Sequence, residues 1–284
     1  MADEKAKLNS IDLAEPDAFT IFQIIINTLK KLRDKTAIIL WSSFILLTVW
    51  GFKGDTQLFF NLFGNNWLKE LFPGIPWRNQ LFSFLSGFIL LVIIPCCIIK
   101  FVFKEKLSEY GLGWPKGKDK IKLSRVAILV TLGIGIPVFF LGTFDPGMQA
   151  EYPLFEKGAI TTWGGFIVYE LVYFLFFIVI EFIFRGYLLF GLYGIEDVHA
   201  VKGVKGIKGP LIFGLYAILI QMLAYTMWHI GKPVPEYVGA LVWGVAVAAV
   251  ALRIRSIWPI IFVHWILNVF VDVVMCIRFN LIPG

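Results

Sequence analysis

One stretch decides the fold of this chain: Trp163-Gly-Gly-Phe-Ile-Val-Tyr-Glu-Leu-Val-Tyr-Phe-Leu-Phe-Phe-Ile-Val-Ile-Glu181-Phe-Ile-Phe-Arg185-Gly186. It belongs to an apolar run over residues 161–192, longer than the roughly 20 residues that a membrane-spanning helix needs. Glu181 and Arg185 are four residues apart, so a helix places them on one face. Because an ionisable side chain at the bilayer centre costs about 3 kcal/mol on insertion scales, both charges need partners. The stretch therefore predicts a transmembrane helix with one face turned towards a polar site.

The rest of the chain resembles this stretch in composition. Of its 284 residues 58% are hydrophobic, and the mean hydropathy is +0.77, which is too apolar for an ordinary soluble domain. Six further apolar runs lie at 37–52, 81–103, 122–144, 211–230, 237–254 and 257–277. We predict an all-α, polytopic transmembrane helical bundle of about seven to eight spans.

The N-terminal part differs from this bundle. Residues 1–35 are predicted to form a cytosolic arm, whose apolar run at 18–33 ends in basic residues and is too short to span comfortably. It indicates an interfacial amphipathic helix, with an eighth partial span as the alternative. Residues 36–284 are predicted to form a single transmembrane domain.

The distribution of Lys and Arg predicts the orientation in the membrane. With a cytosolic N-terminus and seven spans, 20 of the 26 basic residues fall on the cytosolic side, which places the C-terminus outside. Loops 104–122 and 194–210 are then cytosolic and loop 53–80 external. The formal net charge of +6 is accounted for by this topology and by attraction to anionic lipid. Because no basic soluble domain is present, no nucleic-acid partner is expected.

Two further motifs place polar groups in apolar runs. They are Tyr225-Thr-Met-Trp-His229 and His264-Trp-Ile-Leu-Asn268, and each again pairs residues four apart. Two of the three His residues of the chain lie in them. Since each group would be costly alone in lipid, we predict that they meet Glu181 in one cavity between the fourth, fifth and seventh spans.

Each motif also has a purely structural interpretation. Glu181 and Arg185 can form an intrahelical ion pair, and His229 can be an interfacial residue near a helix end. His264 and Asn268 can form an interhelical hydrogen bond used for packing. These interpretations explain each motif alone, but not the occurrence of three such motifs in order along the chain.

Two other carboxyl residues are predicted to have structural roles. Asp272 continues the His264–Asn268 face one turn further along. Glu170 lies about three turns before Glu181, roughly 16 Å by helical rise, and so does not reach the same site.

In order and spacing, the three motifs resemble the CAAX-protease and bacteriocin-processing (CPBP) family of intramembrane endopeptidases. The family pattern is Glu-Glu-x-x-x-Arg, then aromatic-x-x-x-His, then His-x-x-x-Asn or Asp. The resemblance covers about residues 100–275, including Glu109-Tyr110-Gly111-Leu112. It implies hydrolysis of a peptide bond by a carboxylate-activated water, with a His/Asn oxyanion site. It also implies a peptide or protein substrate, prenylated or membrane-embedded.

The resemblance implies a role for each motif residue. The catalytic residues would be Glu181, His229, His264 and Asn268, supported by Arg185 and Tyr225. One departure stands out, because the first Glu of the pattern falls on Ile180, which cannot accept a proton. Either Glu181 takes the role of the base, or the chain is a degenerate relative that serves as a membrane scaffold, chaperone or self-immunity protein. A transporter is less well supported, since no inverted repeat is apparent.

The same residues allow two kinds of chemistry. We expect no cofactor, with Glu181 as the base. The alternative is zinc bound by Glu181, His229 and His264, an acceptable ligand set. The helical His-Glu-x-x-His signature is absent, and zinc ligation by Glu181 would leave no base. The depth of the residues is a further problem, because His229 falls at the far end of its predicted span from Glu181.

Overall fold

The computed structural model describes residues 18–32, 34–51, 67–194 and 213–282. Three predicted segments therefore lie wholly or largely outside the described residues: the first 17 residues of the arm, the first part of loop 53–80, and loop 194–210. Within the described residues the chain is helical and no strand occurs. The predicted all-α class is confirmed.

Ten helices are numbered here in chain order. They are α1 (Ala18–Lys31), α2 (Lys35–Val49), α3 (Trp67–Leu71), α4 (Arg78–Val102), α5 (Lys118–Gly142), α6 (Pro146–Glu151), α7 (Trp163–Tyr193), α8 (Tyr216–Trp228), α9 (Val234–Ile254) and α10 (Trp258–Arg278). A 3-10 turn at Leu107–Tyr110 precedes α5. By length and composition, five of the described helices can cross a membrane: α4, α5, α7, α9 and α10.

Three predicted segments form helices of fewer than the roughly 20 residues that a membrane span needs. The run 37–52 overlaps α2, of 15 residues, and the run 211–230 contains α8, of 13 residues. At 1.5 Å per residue, α8 is only about 20 Å long, so it ends before it could cross a hydrocarbon core of about 30 Å. The predicted interfacial segment forms α1, whose large apolar side chains, including Phe22 and Ile25, are exposed.

Helix α7 forms the centre of the bundle. Its first turn is capped by Thr162, whose hydroxyl accepts a hydrogen bond from the backbone N–H of Gly165. It packs against α4, α8 and α10. The widened π-helical part at Phe182–Phe190 is buried throughout. A side chain at Gly186 would place its Cβ only 3.2 Å from the backbone oxygen of Tyr110, so glycine permits the close approach here.

One end of the bundle, here called the Gly111 end, is held by polar contacts between distant segments. Lys35 forms an ion pair with Glu105 at 2.6 Å, and the Tyr110 hydroxyl donates to the same carboxylate. The backbone N–H of Ile257 donates to the oxygen of Gly111, whose φ of +79° favours glycine. Burial and the adjacent Glu105 carboxylate raise the pKa of the Tyr110 hydroxyl above its usual range, so it stays a donor.

The opposite end, here called the Glu151 end, is held in the same way. Lys232 forms an ion pair with Glu151, and the Arg278 guanidinium donates to the backbone oxygen of Thr143 at 3.0 Å. These residues lie in the loops and helix ends that the basic-residue count assigns to one side of the membrane. The structure therefore brings together at one end the loops that the orientation prediction places on one side of the membrane. This agreement holds whichever end faces the cytosol.

Candidate active site

Glu181 lies at the centre of a contact between three helices. It is fully buried at the end of the α-helical part of α7. Its Oε1 accepts hydrogen bonds from His264 Nδ1 of α10 at 2.7 Å and from Trp243 Nε1 of α9 at 3.2 Å. Its Oε2 lies 3.5 Å from an Nη of Arg185. Glu181 therefore orients the His264 ring through Nδ1 and leaves Nε2 for other contacts.

Arg185 is as deeply buried as Glu181. Its guanidinium lies over the ring of Tyr225, 3.9 Å from the centroid, which makes a cation–π contact between α7 and α8. The Glu181 carboxylate is the anion beside it. The predicted Glu181–Arg185 pairing is present, and it extends to the aromatic residue of the second motif.

His229 directly follows α8 and is oriented by its own backbone. Its Nδ1 lies 2.8 Å from the backbone oxygen of Tyr225. Because a carbonyl oxygen only accepts, Nδ1 carries the hydrogen, and Nε2 of the neutral ring is an acceptor. Nε2 lies 3.8 Å from Oε1 of Glu236, the carboxylate in the first turn of α9.

A cavity brings most of the predicted residues together. Its larger lobe, of about 130 Å³, also borders α5 and α6, and its smaller lobe, of about 40 Å³, borders α7. Both lobes are lined by the same six residues: Tyr152, Tyr225, His229, Glu236, His264 and Asn268. Glu181 and Arg185 line neither lobe, and Glu181 reaches the cavity wall only through its hydrogen bond with His264. His229, at the end of the short α8, is buried and reaches the same cavity as His264.

Residues 162–270 match a family model described as Type II CAAX prenyl endopeptidase Rce1-like. The match supports membership of this part of the chain in the CPBP family. It runs from the cap of α7 into α10 and includes all three motifs, over a shorter range than the predicted residues 100–275. No curated protein and no solved structure gives a match.

The candidate site has an aliphatic residue, Ile180, where the family pattern has its first Glu. Ile180 is 1% exposed and lines the smaller lobe together with His229 and His264. It precedes Glu181 by one residue, a rotation of about 100° around a helix axis. This rotation turns Ile180 towards the cavity and Glu181 towards Trp243.

Glu236 is a residue of the candidate site that the sequence prediction missed. It lines both lobes and is close to His229. The signal was present, because Glu236 follows His229 by seven residues across the breaker-rich segment Gly231-Lys-Pro-Val-Pro235. A Glu in the first turn of a helix is common for electrostatic reasons alone, however, so the pattern did not single it out.

Tyr152 closes the cavity beside Glu236. It lies in the segment after α6 and is buried. Burial, together with the nearby carboxyl groups of Glu236, Asp272 and Glu151, raises the pKa of the Tyr152 hydroxyl well above its usual range. The hydroxyl therefore keeps its proton and can donate to the Glu236 carboxylate.

The geometry bears on the zinc alternative. Among the described residues, no three His, Cys, Asp or Glu side chains are grouped to hold a metal ion. Zinc bound by Glu181, His229 and His264 would have to replace the hydrogen bond between Glu181 and His264 Nδ1. The ligand set would thus need a rearrangement of the contact that orients His264.

Glu170 and Asp272 meet away from the cavity lining. Both are buried and their carboxyl groups lie beside each other, so they join α7 to α10. The indole N–H of Trp265 donates to the backbone oxygen of Glu170 at 2.9 Å and reinforces this contact. The placement agrees with a packing function for the pair.

Proposed function

We propose that this integral membrane protein is an endopeptidase that hydrolyses a peptide bond in the cavity between α7, α8, α9 and α10. The observation that carries the proposal is the convergence of His229, His264 and Asn268 with a carboxylate on one buried cavity. Membership of a family of membrane endopeptidases supports the same reaction class.

The proposed oxyanion site consists of His264 and Asn268. Nδ1 of His264 donates to the Glu181 carboxylate, which turns Nε2 away from Glu181, and Nε2 can donate to a developing oxyanion when it carries a hydrogen. Asn268 uses one amide hydrogen for the backbone oxygen of His264 at 3.0 Å, which leaves the second hydrogen for the substrate. In this proposal Glu181 positions His264 rather than activating water.

We propose a reaction without a metal ion. Its substrate is a peptide or protein segment, prenylated or membrane-embedded, that enters from the Glu151 end or from the lipid. Lys232 and Tyr152, both near the Glu151 end, line the cavity. The larger lobe is mainly apolar, with Val138, Phe139 and Met148 in its wall, which suits an apolar portion of a substrate.

The test is incorporation of ¹⁸O into product. The protein in lipid nanodiscs is incubated in H₂¹⁸O with a peptide library, half of it carrying a prenylated C-terminal Cys, and new carboxyl groups are detected by mass spectrometry. Wild type should form products labelled with ¹⁸O, and His264→Ala should reduce the rate about 10²–10³-fold through loss of an oxyanion donor. Glu156→Gln, on an exposed loop, is the matched control. A parallel arm with a chelator tests the zinc alternative.

A second candidate function follows from Ile180. Since an aliphatic residue lines the cavity where the family pattern has a Glu, a catalytically silent relative would bind peptides without cleaving them. Such a protein would act as a scaffold, chaperone or self-immunity protein. Retention of library peptides by wild type, with no ¹⁸O uptake in any arm, would support this candidate and contradict the peptidase proposal.

We propose that the Gly111 end faces the cytosol. In a Cys96→Ser, Cys97→Ser background, Lys157→Cys should react with an impermeant maleimide in intact cells, because Lys157 lies at the Glu151 end near Phe279. Lys116→Cys, exposed just beyond Gly111, should react only after permeabilisation. The physical reason is the concentration of Lys and Arg at the Gly111 end. The opposite labelling pattern would reverse the proposed orientation.

A further inference from the structure

Hydrolysis in this cavity requires a base that the first motif does not supply. A water molecule attacks an amide efficiently only if a group within hydrogen-bond reach takes its proton. Ile180 has no such group. The Glu181 carboxylate already accepts from His264 and Trp243, lies beside Arg185, and does not line the cavity.

We propose that Glu236 is the carboxylate that takes the proton of the attacking water. The proposal rests on the peptidase function proposed above and assigns the base of that same site. Glu236 lines both lobes of the cavity, and its side chain is 16% exposed. It is the carboxylate that shares the cavity wall with His229, His264 and Asn268 within the described residues.

The separation of Glu236 and His229 suits one bridging water. Oε1 and Nε2 are 3.8 Å apart, too far for a direct hydrogen bond. The two atoms would subtend an angle of about 85° at a water about 2.8 Å from both, narrower than tetrahedral but wide enough for the water to donate one hydrogen to each. Because Nδ1 of His229 carries the hydrogen, Nε2 accepts one hydrogen of this water and the Glu236 carboxylate accepts the other. Both lone pairs of the oxygen are then free.

The rest of the cavity completes the reaction. The water oxygen forms a bond to the peptide carbonyl carbon while its proton moves to Glu236, and the carbonyl electron pair moves to the oxygen facing His264 and Asn268. The electron pair then returns, the C–N bond breaks, and the proton on Glu236 passes to the leaving amine. One water and one amide give one carboxylic acid and one amine, and Glu236 returns to its carboxylate form.

A structural role for Glu236 predicts a different result. A negative charge in the first turn of α9 interacts favourably with the helix dipole. If this were the sole role, removing the carboxylate would change stability, and a small carboxylate added in solution would not restore the rate. A base predicts a large rate effect that such an anion partly reverses.

The experiment measures ¹⁸O incorporation by Glu236→Gln and Glu236→Ala with the same peptide library in nanodiscs. Loss of a general base should lower kcat about 10²–10⁴-fold. Added formate should restore part of the rate in Glu236→Ala, and it should leave His264→Ala and the Glu156→Gln control unchanged. Thermal unfolding of each variant checks that the protein is folded.

The outcomes that would overturn the inference can be distinguished from those that would overturn the proposed function. Glu236→Gln with wild-type rates, while His264→Ala is slow, would exclude Glu236 as the base and leave the peptidase proposal standing. No turnover by wild type would overturn both. If the Gln and Ala variants do not fold, Glu236→Asp tests the inference, because its side chain is one methylene group shorter and holds the carboxylate further from the water. Its rate should then be reduced, and an unchanged rate would contradict the proposal.

Discussion

Arg185→Met is expected to lower the free energy of unfolding by about 3–5 kcal/mol, the usual cost of breaking a buried ion pair from one side. Arg185 and Glu181 are both fully buried, with 3.5 Å between their charged groups. Without Arg185, the Glu181 carboxylate would keep its two hydrogen bonds from His264 and Trp243 but lose its neighbouring cation. The cation–π contact with Tyr225 would also be lost. Reversible unfolding in mixed detergent micelles measures the effect.

The matched control is Arg253→Met, because Arg253 is exposed in the last turn of α9. It should change stability by no more than about 0.5 kcal/mol. The double variant Glu181→Gln/Arg185→Met should be more stable than the sum of the single effects predicts, with a coupling of about 0.5–3 kcal/mol. The neutral amide oxygen can still accept from His264 and Trp243. Strictly additive effects would show that the two charges do not stabilise each other.

The faces of the three motifs could be predicted from sequence because helical spacing is local. A separation of four residues fixes which side chains share a face before any tertiary contact forms. The pairing of Glu181 with Arg185, and the meeting of the second and third motifs in one cavity, follow from this spacing and from the cost of isolated polar groups in lipid. These are the parts of the site that the sequence prediction and the structure share.

The separate positions of Glu181 and Glu236 in the site could not be predicted in the same way. Glu181 is held by His264 and by Trp243, which belongs to no motif and lies 62 residues away. Which carboxylate reaches the cavity depends on how α9 packs against α7, and that packing has no short-range signature. The length of α8 also escaped prediction, because the apolar run at 211–230 is longer than the helix it contains.

Ile180 offers the second test with a large expected effect. In a Glu236→Gln background, Ile180→Glu should raise the rate at least about tenfold above that of Glu236→Gln alone. The reason is that a positioned general base contributes about 10²–10⁴-fold. Ile180, His229 and Glu236 all line the smaller lobe. The new carboxylate would thus lie in the same lobe as the His229 imidazole, on α7 instead of α9. The ¹⁸O assay measures the recovery, and Ile180→Gln in the same background is the matched control.

The same substitution in the wild-type background should not raise the rate. Two carboxylates around one small buried cavity repel each other, and one of them then holds a proton and cannot act as a base. Ile180→Glu alone is therefore expected to leave the rate unchanged or to lower it. Equal recovery by Ile180→Gln and Ile180→Glu would show that polarity, not proton transfer, limits the reaction. If neither variant recovers the rate, a carboxylate at position 180 of α7 does not reach the attacking water. Only a carboxylate on α9, at position 236, would then be placed to act as the base.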